Sequence, residues 1–296
     1  MSVVPKLAAG AAVVVGSGVA TLGYSLWEAR QYTLREATIE VPRVAERPGP
    51  LRILHLSDLH LAPRDIDRIA WVRELGSLQP DLTVVTGDFH GDADATTLAL
   101  DALEPLLGRP GAYVRGSNDY YAPTRTNPLK YFTGPSTVRT TRPPIDVTAL
   151  NEGLTEAGWV DLDNATALLR TAGWTIDARG VDDPHIERDD YAAVAGPYDP
   201  QAQLRLGVTH APYRRVLDAM AAEGADVILA GHTHGGQICV PGFGALITNC
   251  DLPRSQAKGV SRWRGSYLNV SAGLGTGPST PIRLACRPEA TLLTLR

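Results

Sequence analysis

Residues 51–60 read LRILHLSDLH. The first seven form a short apolar run of aliphatic and β-branched residues, which predicts a buried strand. The run ends abruptly at Asp58 and His60. In extended chain, alternate side chains point the same way. Asp58 and His60 are therefore expected to face one point, with Leu59 turned to the core. Moving outward, DLTVVTG (81–87) is a second such strand ending at Asp88, and GAYVRG (111–116) a third ending at Ser117-Asn118-Asp119. Helical spacing through Ile66, Ile69, Ala70, Val72 and Leu75 predicts a helix over 64–78, and 95–107 predicts another. Further on, QLRLGVTH (203–210) and ADVILAGHTH (225–234) are strands ending at His210 and at His232 and His234, with a helix over 212–223 between them.

Strands alternating with helices define an α/β layer, and such sheets collect ligands at the carboxyl ends of their strands. Each of these five strands ends in a polar cluster. Carboxylate, imidazole and amide oxygen suit divalent ions such as zinc, manganese, iron and magnesium. One pair would mean little, because an isolated histidine is more often structural. Five clusters converging make a cage for two ions, which can clamp phosphate oxygens during in-line displacement. Gly87, Gly116, Gly231, Gly235 and Gly236 flank the candidate ligands and permit tight turns there.

The ordered set D-x-H (58–60), GD (87–88), GSND (116–119), THAP (209–212) and GHTHGGQ (231–237) resembles the calcineurin-like metallophosphoesterases, most of all their membrane-associated bacterial branch. The resemblance implies a four-layer α/β/β/α sandwich over 51–296 and a dinuclear centre that hydrolyses phosphoesters by attack of a metal-bridging hydroxide. It implies Asp58, His60 and His234 on one metal, Asp88 as the bridge, and His210 and His232 on the second with an amide from GSND. His210 would also stabilise charge on the phosphate. The family pattern is Gly-Asn-His-Asp, in which Asn binds metal and His serves the leaving group. Here either Ser117 takes the ligand position without a gap, or Asn118 supplies its oxygen through a bulge; the amide is the better ligand. The usual acid is missing, which matters less for a diester or pyrophosphate with a good leaving group. His90, two residues beyond Asp88, is a candidate replacement. Asp119, as an ionised carboxylate, cannot donate a proton.

The remaining sequence sets the surroundings. The formal net charge of −4 provides no basic field, so nucleic acid is not an expected partner. Cys239, Cys250 and Cys286 are too few for a disulfide framework and read as small buried hydrophobes. Residues 7–27 carry no charge. A helix of that length reaches about 30 Å, enough to cross a hydrocarbon core, and it ends at Tyr24 and Trp27, residues that favour the interface. Residues 1–28 are thus expected to anchor the chain in a membrane, with the catalytic domain outside the cytoplasm. A cleaved secretory signal and a buried soluble helix are the other readings. Residues 29–50 read as a connector, and 237–296 as strands of a second sheet. His55 reads as packing or as a residue supporting the ligands, His185 in VDDPHIERDD (181–190) as a surface loop residue in an acidic segment that could border the cleft, and 117–146 as a long loop contacting substrate. An anchor would place the site near lipid headgroups, and the resemblance then implies a lipid-linked phosphodiester or pyrophosphate as substrate. A phosphomonoester or cyclic nucleotide is the alternative substrate, and a metal-stabilised scaffold without turnover the alternative function.

Overall fold

The computed structural model describes residues 18–41, 48–124, 127, 142–277 and 279–296. Among the described residues, fourteen strands are arranged mainly as two six-stranded sheets. The first contains β1 (Thr33–Ile39), β14 (Glu289–Leu295), β2 (Leu51–Leu56), β3 (Leu82–Thr86), β4 (Gly111–Val114) and β5 (Val160–Asp161), in that spatial order. The second contains β12 (Gly259–Trp263), β13 (Ser266–Val270), β9 (Val227–Ala230), β8 (Leu204–Thr209), β7 (Trp174–Val181) and β6 (Ala165–Thr171). β10 (Cys239–Val240) and β11 (Gly244–Ala245) form a separate small hairpin.

Side-chain alternation divides the strands between cores, as a period of two requires. From β2, Leu51 and Ile53 enter the core between the sheets, where they join Val84, Ile176, Leu206 and Leu229. Leu54 and Leu56 enter a second core with Val72 of α2 (Ile66–Glu74), Leu103 of α3 (Thr96–Leu107) and Leu154 of α5 (Thr148–Glu156). On the far side, α6 (Arg214–Ala222) packs Val216, Leu217 and Met220 against Ile228 and Val270. Helices, sheet, sheet and helix make four layers. β2, β3 and β4 run parallel, as do β7, β8, β9 and β13. Their carboxyl ends are where the polar clusters lie. At the β6–β7 turn, Ala172 and Gly173 both take positive φ (49° and 81°), the form that continues the twist of a tight hairpin.

Several expectations change. The segment read as a connector contributes β1, which pairs in parallel with β14 from Thr33↔Glu289 to Ile39↔Leu295. The C-terminal strands do not all join the second sheet: β12 and β13 do, but β14 inserts between β1 and β2 of the first. The 117–146 loop opens with a short helix, α4 (Ser117–Tyr120), and its residues 125–126 and 128–141 lie outside the described residues. So do residues 1–17 of the expected anchor. Residues 18–28 form α1, whose Ser25 carbonyl accepts from Arg283 N (3.0 Å) and whose Glu28 carboxylate accepts from Ala285 N (2.8 Å). Among the described residues no helix is long and apolar enough to cross a membrane.

Candidate metal centre

The loops leaving β2 and β3 run side by side. Asp58 N donates to Gly87 O, His60 N to Asp88 O and Leu61 N to Phe89 O, each at 2.9 Å. Asp58 and His60 do share a destination, but extended alternation is not the reason. Both are left-handed (φ 49° and 41°), as are Asp88 (56°), His232 (67°) and His234 (49°). Asp and His are among the few non-glycine residues that enter this region readily.

The clustered groups approach closely. Asp58, His60 and His234 offer ligand atoms within 4.8 Å of one another, and so do Asp58, Asp88 and His210. Asp88 Oδ2 lies 3.4 Å from His60 Nε2 and 3.6 Å from His210 Nε2, between the two halves of the cluster. His234 Nε2 is 3.4 Å from Asp58 Oδ1 and 3.3 Å from His60 Nε2. His232 Nδ1 is 3.3 Å from His210 Nε2. Asn118 is the residue of the GSND segment whose side chain reaches the cluster: its amide is 2.8 Å from Asp88 Oδ2, and its backbone N donates to Asp88 Oδ1 at 2.9 Å. Rotating that amide by half a turn would present oxygen at the same point. Ser117 is buried at the start of α4.

The imidazoles are set for ligation by their outer nitrogens. A carbonyl can only accept, so His60 Nδ1 donates to His90 O (3.3 Å), His210 Nδ1 to Thr86 O (2.6 Å) and His232 Nε2 to Asn249 O (3.1 Å). In each neutral ring the remaining nitrogen presents a lone pair to the cluster, an orientation typical of metal-ligating histidine. His234 is approached at Nδ1 by an Arg283 Nη2 donor (3.4 Å). Burial, then the charges of His60 and Arg283, push His234 well below its ordinary pKa. Burial, with His185 and His210, does the same to His232. Burial would also lower His210, but Asp88, Asp183 and Asp58 outweigh it and push it up to about 10. Burial would raise Asp88, yet His210, His60 and the Asn118 hydrogen bonds hold it well below the carboxylate range.

A divalent cation fits these residues. Asp58 Oδ1 is buried without a hydrogen-bond partner, and a carboxylate and imidazoles surround it. Isolated, such an oxygen would be costly; a cation would satisfy it.

Other expected site residues fall elsewhere. His90 does not join the cluster: Asp119 takes its Nδ1 (2.8 Å) and Thr96 its Nε2 (3.0 Å), which leaves no ring nitrogen for a leaving group. Asp119 accepts from the backbone N of Asp88, Phe89, His90 and Gly116, and so ties the ends of β3 and β4 together. His55 links the sheets, with Nδ1 accepting from Asn269 (2.8 Å) and Nε2 donating to Thr86 Oγ1 (2.9 Å); burial lowers its pKa to about 3. Tyr120 donates to Asp163 and Asp182 and bridges the two sheets beside α4.

His185 is no surface residue. Its ring centroid lies 4.4 Å from that of His232, and its Nδ1 is 3.0 Å from Tyr213 Oη. It follows the carboxyl end of β7, and applying the strand-end rule to that strand would have found it. Arg283, fully buried, donates to the carbonyl oxygens of Ala272, Gly273 and Gly275 beside His234. Nothing local in sequence marks it. Arg68 likewise donates to Leu59 O and His60 O, both at 2.8 Å.

A profile of the calcineurin-like phosphoesterases matches residues 51–236, more than half of the chain. The chain belongs to that family. It is 31% identical to the uncharacterized metallophosphoesterase YkoQ of Bacillus subtilis, over 81% of this chain and 82% of that protein. It is 28% identical to phosphodiesterase YaeI of Escherichia coli, over 84% of each. It is 27% identical to a bovine transmembrane protein with a metallophosphoesterase domain, over 88% of this chain and 56% of that protein.

Proposed function

We propose that the protein is a phosphodiesterase working with two divalent ions of the Mn, Fe, Zn or Mg kind. One would be held by Asp58, His60 and His234, the other by His210, His232 and Asn118, with Asp88 between them. The observation that carries this is the tying of three imidazoles by carbonyl groups so that their free nitrogens converge on two carboxylates. When bound, the ions supply Lewis acidity to the phosphate oxygens and an acidified water as nucleophile. The protein's own part is orientation. Asp119 fixes the Asp88 and Gly116 backbone, Thr86 O fixes the His210 ring, and Arg283 and Arg68 fix the loops that carry His234 and His60.

The diester preference follows from Asn118. With Asn118 taken as a metal ligand, the GSND segment holds no histidine to serve the leaving group, and an amide cannot deliver that proton. Phosphodiesters and pyrophosphates with good leaving groups need it least. The name of YaeI agrees with this class. We further infer a lipid-linked substrate. Val19, Leu22, Tyr24 and Trp27, within the uncharged stretch 7–27, are 46–67% exposed on α1, and one relative is named a transmembrane protein.

The test is hydrolysis by the metal-stripped full chain, resupplied with Mn²⁺, Fe²⁺, Zn²⁺ or Mg²⁺. Bis-p-nitrophenyl phosphate should turn over faster than p-nitrophenyl phosphate, and Asp88→Asn should abolish both. A folded protein that binds the ions and hydrolyses neither would instead be a scaffold. Flotation with phospholipid vesicles tests the lipid inference, and a chain that stays at the bottom of the gradient refutes it.

A further inference from the structure

We infer that Arg142 grips the non-bridging oxygens of the substrate phosphate and takes over, as a fixed cation, part of the role left vacant by the missing histidine. This rests on the phosphoesterase reading above. Its basis is how Arg142 is held and what it lacks.

The chain leaves α4 through Tyr121 and returns at Arg142. The return is stitched to the departure: Ala122 N donates to Pro143 O (2.8 Å), Ile145 N donates to Tyr120 O (2.9 Å), and Tyr121 and Pro144 form an antiparallel bridge. Pro143 and Pro144 also restrict φ on either side of that bridge. Arg142 is thus anchored at the foot of the excursion. Its guanidinium points back to the cluster, where Nη1 donates to Asn118 Oδ1 at 3.2 Å while Asn118 Nδ2 donates to Asp88 Oδ2 at 2.8 Å; the half-turn that would put Oδ1 on a metal would take this acceptor from Arg142 and free Nη1. The cation lies 5.8 Å from the Tyr121 ring centroid, and its charge reaches both Asp88 and His185.

Arginine carries five donors in a planar fork, and its charge persists at any working pH. Among the described residues, the Asn118 amide is the one hydrogen-bond acceptor that the Arg142 fork meets, and no carboxylate lies within ion-pair distance of it. A half-buried cation with donors to spare, beside a site built for a phosphoester, is complemented by a phosphoryl group, whose oxygens accept two parallel hydrogen bonds from such a fork. A fixed cation stabilises negative charge on the non-bridging oxygens but delivers no proton. That suits the same good-leaving-group substrates as Asn118 does.

The experiment uses full-length Arg142→Ala and Arg142→Lys, both Mn²⁺-loaded. Inorganic phosphate is the probe, followed by calorimetry and by inhibition of bis-p-nitrophenyl phosphate hydrolysis. Arg142→Ala is expected to weaken phosphate binding and lower kcat/KM by about 10- to 100-fold, with bound manganese unchanged; hydrogen bonds to charged groups have that worth. Arg142→Lys keeps the charge without the fork and should recover only part of the loss. It also answers for an alanine variant that fails to fold. Phosphate binding within twofold of wild type in both variants would overturn the inference. So would equal loss of manganese from both, which would make Arg142 a prop for Asn118. A wild-type protein with no turnover, but with Arg142-dependent phosphate binding, would overturn the enzyme reading and leave the clamp standing.

Discussion

Replacing Asp119 by asparagine should unfasten the site without touching an expected metal ligand. The carboxylate is fully buried and accepts five hydrogen bonds. Oδ2 takes the N–H groups of Asp88 (2.8 Å) and Gly116 (2.9 Å); Oδ1 takes Phe89 N (2.8 Å), His90 N (3.2 Å) and His90 Nδ1 (2.8 Å). Asparagine has the same shape, but one end becomes an NH₂ that faces donors. The less costly orientation puts that end at the Oδ2 position, where two buried N–H groups lose their acceptor. At about 1–3 kcal/mol each, that is a loss of about 2–6 kcal/mol. The remaining bonds also lose their charge assistance, which moves the expectation away from the lower end. Against a total stability of about 5–15 kcal/mol, this is a large share. Urea unfolding of the metal-free protein at pH 7 should show a lower midpoint with an unchanged slope. Manganese affinity should fall as well, because the Asp88 amide is one of those released. A stability loss under about 1 kcal/mol with unchanged metal affinity would refute the reasoning that Asp119 latches β3 to β4.

Three further outcomes are expected. In Gly231→Ala the new Cβ would overlap Ser57 Oγ and come within 2.8 Å of Asp58 Oδ2, to which Ser57 donates at 2.5 Å. Metal affinity should fall by about 10- to 100-fold, as when the hydrogen-bonding partners of a metal ligand are disturbed. Adding Ser57→Gly should restore part of it, and metal titration of the single and double variants decides. His210 is pushed up to about 10 in the metal-free protein. Because the folded pKa is raised, its protonated ring stabilises the metal-free fold fully below 6.5, and that contribution is lost as pH rises through about 10. A cation displaces the same proton, so manganese affinity should rise with pH from about 7 to about 10, and calorimetry in two buffers at pH 7.5 should register proton release. A pH-independent affinity would contradict this. His90→Ala should lower the unfolding midpoint but leave the ratio of aryl to alkyl phosphoester rates unchanged, since both ring nitrogens serve Asp119 and Thr96; a selective loss on alkyl esters would return His90 to the role of acid.

How much of this is legible in sequence depends on the range over which each feature is encoded. The five strand ends are local: an apolar run, then a glycine, serine or threonine, then the ligand. They were readable at once, and the structure brings their polar residues into one cluster. β1 was not readable, because TLREATI, at the outer edge of a sheet, mixes exposed and half-buried positions without a period of two and resembles a charged linker. The placement of β14 depends on pairing with strands more than two hundred residues earlier, which no local pattern records. His185 was hidden by acidic neighbours. Yet those neighbours are the buried Asp182 and Asp183 at the carboxyl end of β7, and they hold the turn that brings His185 over His232.

The left-handed ligands show why the supporting residues matter as much as the motifs. A single non-glycine residue at positive φ persists when its surroundings over-determine it. Here Asp58, His60, Asp88, His232 and His234 all do so at one site. Each is held by bonds that reach across the fold. Asp58 and His60 are tied to the β3 loop through Gly87 O and Asp88 O, and Asp58 O accepts from Gly275 N (2.6 Å). His232 N donates to Asp58 Oδ2 (3.0 Å), so the second sheet locks a ligand of the first. Arg283 joins the His234 and Gly275 loops through their carbonyl groups. Half of these holds join backbone to backbone, and the rest tie the side chain of Asp58 or Arg283 to a backbone group. The loops that carry the ligands are therefore joined to one another by the chain's own bonds as well as by any ion, and loss of one such bond, as in Asp119→Asn, should loosen the site as a whole.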